Sequence, residues 1–167
     1  MASVPPDWTI VGVSDFNGDG FADILWRHDS GAVTGWLSNS NGDFAANAGF
    51  MAAVPPDWEV VGTGDFNGDG LGDVLWRHAT GPLTTWVGTP GGDFVASSIW
   101  ADVPNDWQVA AIGDYDGDGR DDVLWRHDTG VVTSWKGLPS GDFLPNGGFM
   151  ATVDNGWLVA PTGALWA

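Results

Sequence analysis

Asp15, Asn17, Asp19 and Asp23 stand at positions 1, 3, 5 and 9 of one short stretch, with Gly18 and Gly20 between them. Oxygen-bearing side chains at alternate positions, wrapped by a glycine-permitted turn, are what a hard cation such as calcium needs. Position 7 of the stretch, Phe21, can give only its backbone carbonyl. The pattern returns as Asp65, Asn67, Asp69, Leu71 and Asp73, and again as Asp114, Asp116, Asp118, Arg120 and Asp122. The third copy puts Asp116 where the others have Asn, which adds a negative charge. An EF-hand opens the same way but requires Glu at position 12 and flanking helices. Position 12 here is Trp26, Trp76 or Trp125, so the loop closes at position 9 instead. A metal-free reading also exists, in which the stretches are Asx-type turns that hold their own shape. It explains one or two carboxylates per loop, but not three or four converging ones. Such carboxylates repel one another unless neutralised. About three calcium ions per chain would bring the formal charge from −17 to −11, which makes calcium a folding cofactor as well as a ligand.

The elements that must carry these loops are strands. Glu59 is the only Glu and Lys136 the only Lys, so the usual exposed-helix formers are nearly missing. Gly, Pro, Asp, Thr and Trp dominate, which reads as short strands joined by turns, an all-β chain. The markers VPPDW at Val4, VPPDW at Val54, VPNDW at Val103 and VDNGW at Val153 reveal a repeat of about fifty residues. The expected units are 4–53, 54–102 and 103–152, followed by a partial repeat over 153–167 that lacks the acidic loop and so should bind no metal. Each unit reads as four strands; in the first they start at Trp8, Asp23, Ala32 and Phe44, the last running to about Met51. The second strand, DILWRH, suits burial on both faces. Four strands at this period are the signature of a β-propeller blade, here about three blades and part of a fourth. Most of the twelve Trp then serve as packing between blades, placed identically in every copy.

The stretch DFNGDGxxDxLWRH within a blade-length repeat resembles the FG-GAP/VCBS repeats of integrin-like β-propellers, over residues 4 to about 152. That resemblance implies a calcium ion in each loop between the first and second strands, bound by Asp15, Asn17, Asp19 and Asp23 and their counterparts. Propellers need four to eight blades, and open ends would expose sheet edges and an apolar face. Two arrangements are open: a head-to-tail homo-oligomer, such as a dimer of six or seven blades, or a piece of a longer propeller.

The charge of −17 and pI near 4.1 argue against nucleic acid and anionic membrane surfaces. No apolar run approaches the ~18 residues that span a bilayer, and the sequence as given shows no export signal. Because such loops fill at near-millimolar calcium, an extracellular or secreted setting is expected. No GxSxG or HExxH stretch occurs, and an enzyme is not expected. Arg27-His28, Arg77-His78 and Arg126-His127 recur in every copy, which favours bracing of a hairpin or neighbouring loop over acid–base chemistry. Two functions compete. In a multivalent lectin, Trp36, Trp86 and Trp135 would serve as sugar platforms, with these Arg and His as polar partners. Some integrin-like propellers that this sequence resembles act as lectins. In a calcium-stabilised scaffold the same residues face inward and the surface binds protein.

Overall fold

A computed structural model describes residues 4–157. All of its regular structure is strand. The first unit comprises β1 (Trp8–Ser14), β2 (Asp23–His28), β3 (Ala32–Ser38) and β4 (Phe44–Ala53). The second comprises β5 (Trp58–Gly64), β6 (Asp73–His78), β7 (Pro82–Gly88), β8 (Phe94–Ala96) and β9 (Ala101–Asp102). The third comprises β10 (Trp107–Gly113), β11 (Asp122–His127), β12 (Val131–Gly137) and β13 (Phe143–Thr152). Each unit is an antiparallel meander in which sequential strands pair, except that β8 and β9 both pair with β7, giving three propeller-like blades that form no closed ring among the described residues.

Every first strand carries an irregularity in its ladder, between Ile10 and Gly12, Val60 and Gly62, and Val109 and Ala111. Bulges bend and twist a strand, and these fall just before each acidic loop. The fourth strand was expected to end near Met51; it runs on to Ala53, because Ala52 and Ala53 pair with Val33 and Ala32. In the second blade this strand is split into β8 and β9. There the Ser97 hydroxyl accepts the Thr85 backbone N–H (3.1 Å) and donates to the Ser98 carbonyl (3.1 Å), replacing the ladder locally.

The blades stack face to face. Phe16, Leu25 and Val33 of the first pack against Val74 and Trp76 of the second. Phe66, Leu75 and Leu83 of the second pack against Val123, Trp125 and Phe143 of the third. Of the three second strands β6 is buried on both faces along most of its length, whereas β2 and β11 end in half-buried residues, Trp26 to His28 and Arg126 to His127. The expectation of two-faced burial therefore applies to the middle blade, which alone has a neighbour on each side among the described residues.

Arginine locks each joint. Arg27 donates to the carbonyls of Trp58 and Pro55, the latter at 2.8 Å, and lies over the Trp76 ring. Arg77 donates to Trp107 (2.6 Å), Val103 (2.7 Å) and Pro104 (2.7 Å), and lies over Trp125. Arg126 reaches the carbonyls of Val153 (3.3 Å) and Asp154 (3.0 Å) at the opening turn of the fourth repeat. The guanidinium satisfies several carbonyls that its neighbour's turn leaves over, in the fixed fork geometry that Lys lacks. The strand expected to follow that last turn lies outside the described residues.

Candidate metal loops and ligand cavities

Each acidic loop is held from within. In the first, Asp15 Oδ1 accepts the N–H of Gly18 (2.8 Å) and of Asp19 (3.1 Å), and Oδ2 accepts that of Gly20 (2.8 Å). Asn17 and Asp19 accept the next N–H groups, from Asp19 (3.0 Å) and Phe21 (2.9 Å). Gly18 and Gly20 have φ of 76° and 88°, a region that L side chains seldom enter, which is why glycine sits between the acids. Asp23 lies at the start of β2, fully buried, with Oδ2 accepting from Phe16 N (3.0 Å) and Oδ1 from Ser38 N (2.8 Å). The second loop repeats these bonds through Asp65, Asn67, Asp69 and Asp73, and the third through Asp114, Asp116, Asp118 and Asp122.

In the third loop, carboxylate oxygens of Asp114, Asp116 and Asp122 come within 4.8 Å of one another. Among the described residues this is the acidic cluster that could surround one ion. Asn17 and Asn67 stand in the place of Asp116, so the first two loops have a carboxamide oxygen there. Asp118 pairs with Arg120, whose guanidinium also donates through Nε to Gly137 O (2.9 Å). Phe21, Leu71 and Arg120 carry no side-chain oxygen, so only their backbone carbonyls suit a cation. Lys136 Nζ lies 2.7 Å from Asp116 Oδ2, so the extra acid of this loop carries its own counter-charge.

The electrostatics fit a cation. Burial pushes the Asp73 carboxyl up to about 7, partly offset by N–H donation from Gly88 and Phe66, and the charges of Asp69 and Asp65 push it further. Burial likewise raises Asp23 and Asp122. N–H groups led by that of Gly119 hold Asp114 low, and the hydrogen bond from Lys136 holds Asp116 low. A buried carboxylate crowded by two others is costly until a positive ion compensates it. The donors are all hard oxygens, as calcium prefers.

The repeated His and Trp form a second constellation. The Ser30 backbone N–H donates to His28 Nδ1 (3.0 Å), which places the ring proton on Nε2, facing Asp7 Oδ2 at 2.8 Å. His78 pairs with Asp57 (2.8 Å) and His127 with Asp106 (2.9 Å), and Trp8, Trp58 and Trp107 stand edge-on to these rings at 5.0–5.1 Å. The Asp-Trp of the VPPDW marker and the His of LWRH thus brace one another within a blade, while the intervening Arg joins blades. Sequence reasoning did not find the Asp7, Asp57 and Asp106 roles. The signal was available in the constant 21-residue step from that Asp to His, which the structure shows as one contact made three times.

Trp36, Trp86 and Trp135 do not share a cavity with Arg27, His28 and their equivalents. Each instead tilts against Trp26, Trp76 or Trp125, at centroid distances of 5.3, 4.9 and 5.4 Å. With Trp8, Trp58 or Trp107 they line three small cavities of about 210, 180 and 150 Å³, at the same place in each blade. Arg27 and His28 line a separate groove of about 350 Å³ between the first two blades, with Trp58 and Glu59. Arg77 and His78 line its counterpart of about 230 Å³, with Glu59 and Gln108. The lone Glu of the chain therefore stands between both guanidinium groups.

Four-stranded blades, a glycine-broken acidic loop between first and second strands, and aromatic joints define a β-propeller-like repeat module. The chain belongs to the FG-GAP-like repeat family, whose model matches residues 15–76 and again residues 65–125. A search of curated proteins returned no match.

Proposed function

We propose that the protein is a calcium-stabilised, multivalent carbohydrate-binding module, working outside cells and without catalytic chemistry. The observation that carries this reading is the triplicate cavity: three indoles at one place in every blade. A pyranose packs its C–H face on such rings while its hydroxyls meet polar groups at the rim. The volumes fall below the roughly 300–1,000 Å³ of clefts for drug-sized ligands, so each cavity suits one sugar ring or part of one. Single sites of this size bind weakly, and repetition on one rigid stack supplies avidity. Calcium would be held by Asp114, Asp116, Asp118 and Asp122 with the Arg120 carbonyl, and by the matching oxygens of Asp15, Asn17, Asp19, Phe21 and Asp23 and of Asp65, Asn67, Asp69, Leu71 and Asp73. There it would supply the positive charge that these loops lack. Near-millimolar calcium outside cells would keep such loops filled, and among the described residues no helix is long and apolar enough to cross a membrane.

A second reading rests on Trp76 and Trp125, whose 1% exposure marks them as packing between blades. On that reading the module is a scaffold for protein contacts. A broad glycan array, probed in calcium and in EGTA, separates the two. The lectin reading expects sugar-competable binding to a narrow glycan set, lost on chelation and weakened by Trp36→Ala. A blank array from protein shown to be folded would contradict it and leave the scaffold.

A further inference from the structure

Among the described residues, the two outer faces of the stack carry the two halves of the joint that the molecule forms twice inside itself. At the first joint Phe16, beside the first acidic loop, meets Phe94 of the next blade edge-on at 5.3 Å. At the second joint Phe66 meets Phe143 at 4.9 Å. A main-chain bond accompanies each: Gly72 N–H to Asp15 O, and Asp121 N–H to Asp65 O, both 2.7 Å. The third blade offers Tyr115 in the place of Phe16 and Phe66, and the first blade offers Phe44 in the place of Phe94 and Phe143. Tyr115 is 51% exposed where Phe16 and Phe66 are 1% and 0%, and Phe44 is 45% exposed where Phe143 is 6%. On the same blade Ile10 is also exposed and Trp8, Trp26 and Trp36 are half-buried, whereas their equivalents in the second blade, Val60, Trp58, Trp76 and Trp86, join the cluster that holds Leu25 and Val33.

We propose that these faces pair between two copies of this chain, head to tail, with Tyr115 of one copy on Phe44 of the second. Asp114 O and Ala22 N–H occupy the places of the main-chain bond at the two interior joints. The Val4–Trp8 turn of the second copy offers Arg126 the carbonyls that Val54–Trp58 and Val103–Trp107 offer Arg27 and Arg77. It must displace the Val153–Trp157 turn, which holds Arg126 within the chain. The second copy thereby builds another groove of the Arg–His type, with Arg126 and His127 from one chain and Trp8 and Thr9 from the other. The contact is heterologous, so it closes a ring or extends a chain according to its rotation. Burial of the exposed aromatic faces favours it, and mutual repulsion of two strongly acidic chains opposes it.

Sedimentation equilibrium tests the pairing, at about 0.15 M salt to screen that repulsion and about 1 mM calcium. The wild-type chain is expected to gain mass to two or more copies as concentration rises. Y115D, which loses the tail, and F44D, which loses the head, are each expected to remain single. Mixed in equal amounts they retain one intact head and one intact tail, and a dimer with nothing larger is expected. A wild type that stays single throughout, an F44D or Y115D chain that self-associates like the wild type, or a mixture that stays single would each overturn the proposal. Both positions are exposed in the single chain, so circular dichroism should match the wild type. The readout is mass alone and is independent of any sugar.

Discussion

Chelating calcium should lower the thermal midpoint of the protein by roughly 15–30 °C. A ligand that binds only the folded state adds about 2.7 kcal/mol per site at a hundredfold excess over its Kd. Three such loops therefore add about 8 kcal/mol, and a chain of this size shifts by about 2–4 °C per kcal/mol. The structural reason is the crowding at Asp73 and its counterparts. Each buried carboxyl faces two further acids, and desolvation together with their charge already disfavours its ionised form. An ion reverses that sign, because a neighbouring positive charge favours the carboxylate. The N–H bonds to Asp15, Asp65 and Asp114 preserve the turns when the ion leaves, so the metal-free protein should melt earlier, not lose its strands at room temperature. Calorimetry in calcium and in EGTA makes the comparison. Midpoints within about 2 °C of each other would show that the loops are self-sufficient Asx turns.

Trp76→Ala should cost about 3–5 kcal/mol, the usual loss for a large aromatic cut from a core. The ring is 1% exposed, packs with Phe16, Leu25 and Val33 of the first blade, and lies under Arg27. Trp26 is the same residue one repeat earlier, but has no blade on its outer side among the described residues. Trp26→Ala should therefore cost less than half as much, measured by urea unfolding in the F44D background that keeps the chain single. Equal losses would mean that the blade-to-blade contact contributes little and that the indole acts within its own sheet.

The sequence made the strands legible because alternation and turn chemistry mark them locally. All four strands of the first repeat start at the residues read from it, and the acidic loops fall between the first and second strands as expected. The break between Phe94–Ala96 and Ala101–Asp102 was not legible. It arises where repeat two is one residue shorter than its neighbours and where Ser97 bonds the Thr85 backbone, a competition that periodicity does not report. The Arg-His pairs were read as bracing a hairpin or neighbouring loop. Their division of labour, His28 to its own Asp7 and Arg27 to the next repeat's Trp58 and Pro55, depends on how blades stack. The separation of Trp36 from Arg27 is of the same kind. Both recur in phase, so spacing alone could not tell that they sit in different cavities.

The acid that recurs as Asp15, Asp65 and Asp114 is the feature on which the calcium account rests, and counting bound ions examines it directly. Metal-free protein would be titrated with calcium by isothermal calorimetry, with the bound metal counted independently after dialysis. Three ions per chain are expected, with the third loop distinguishable because Lys136 competes with the ion for Asp116 Oδ2. Fewer than one ion per chain at millimolar calcium would contradict the account and leave the acidic loops as turns alone.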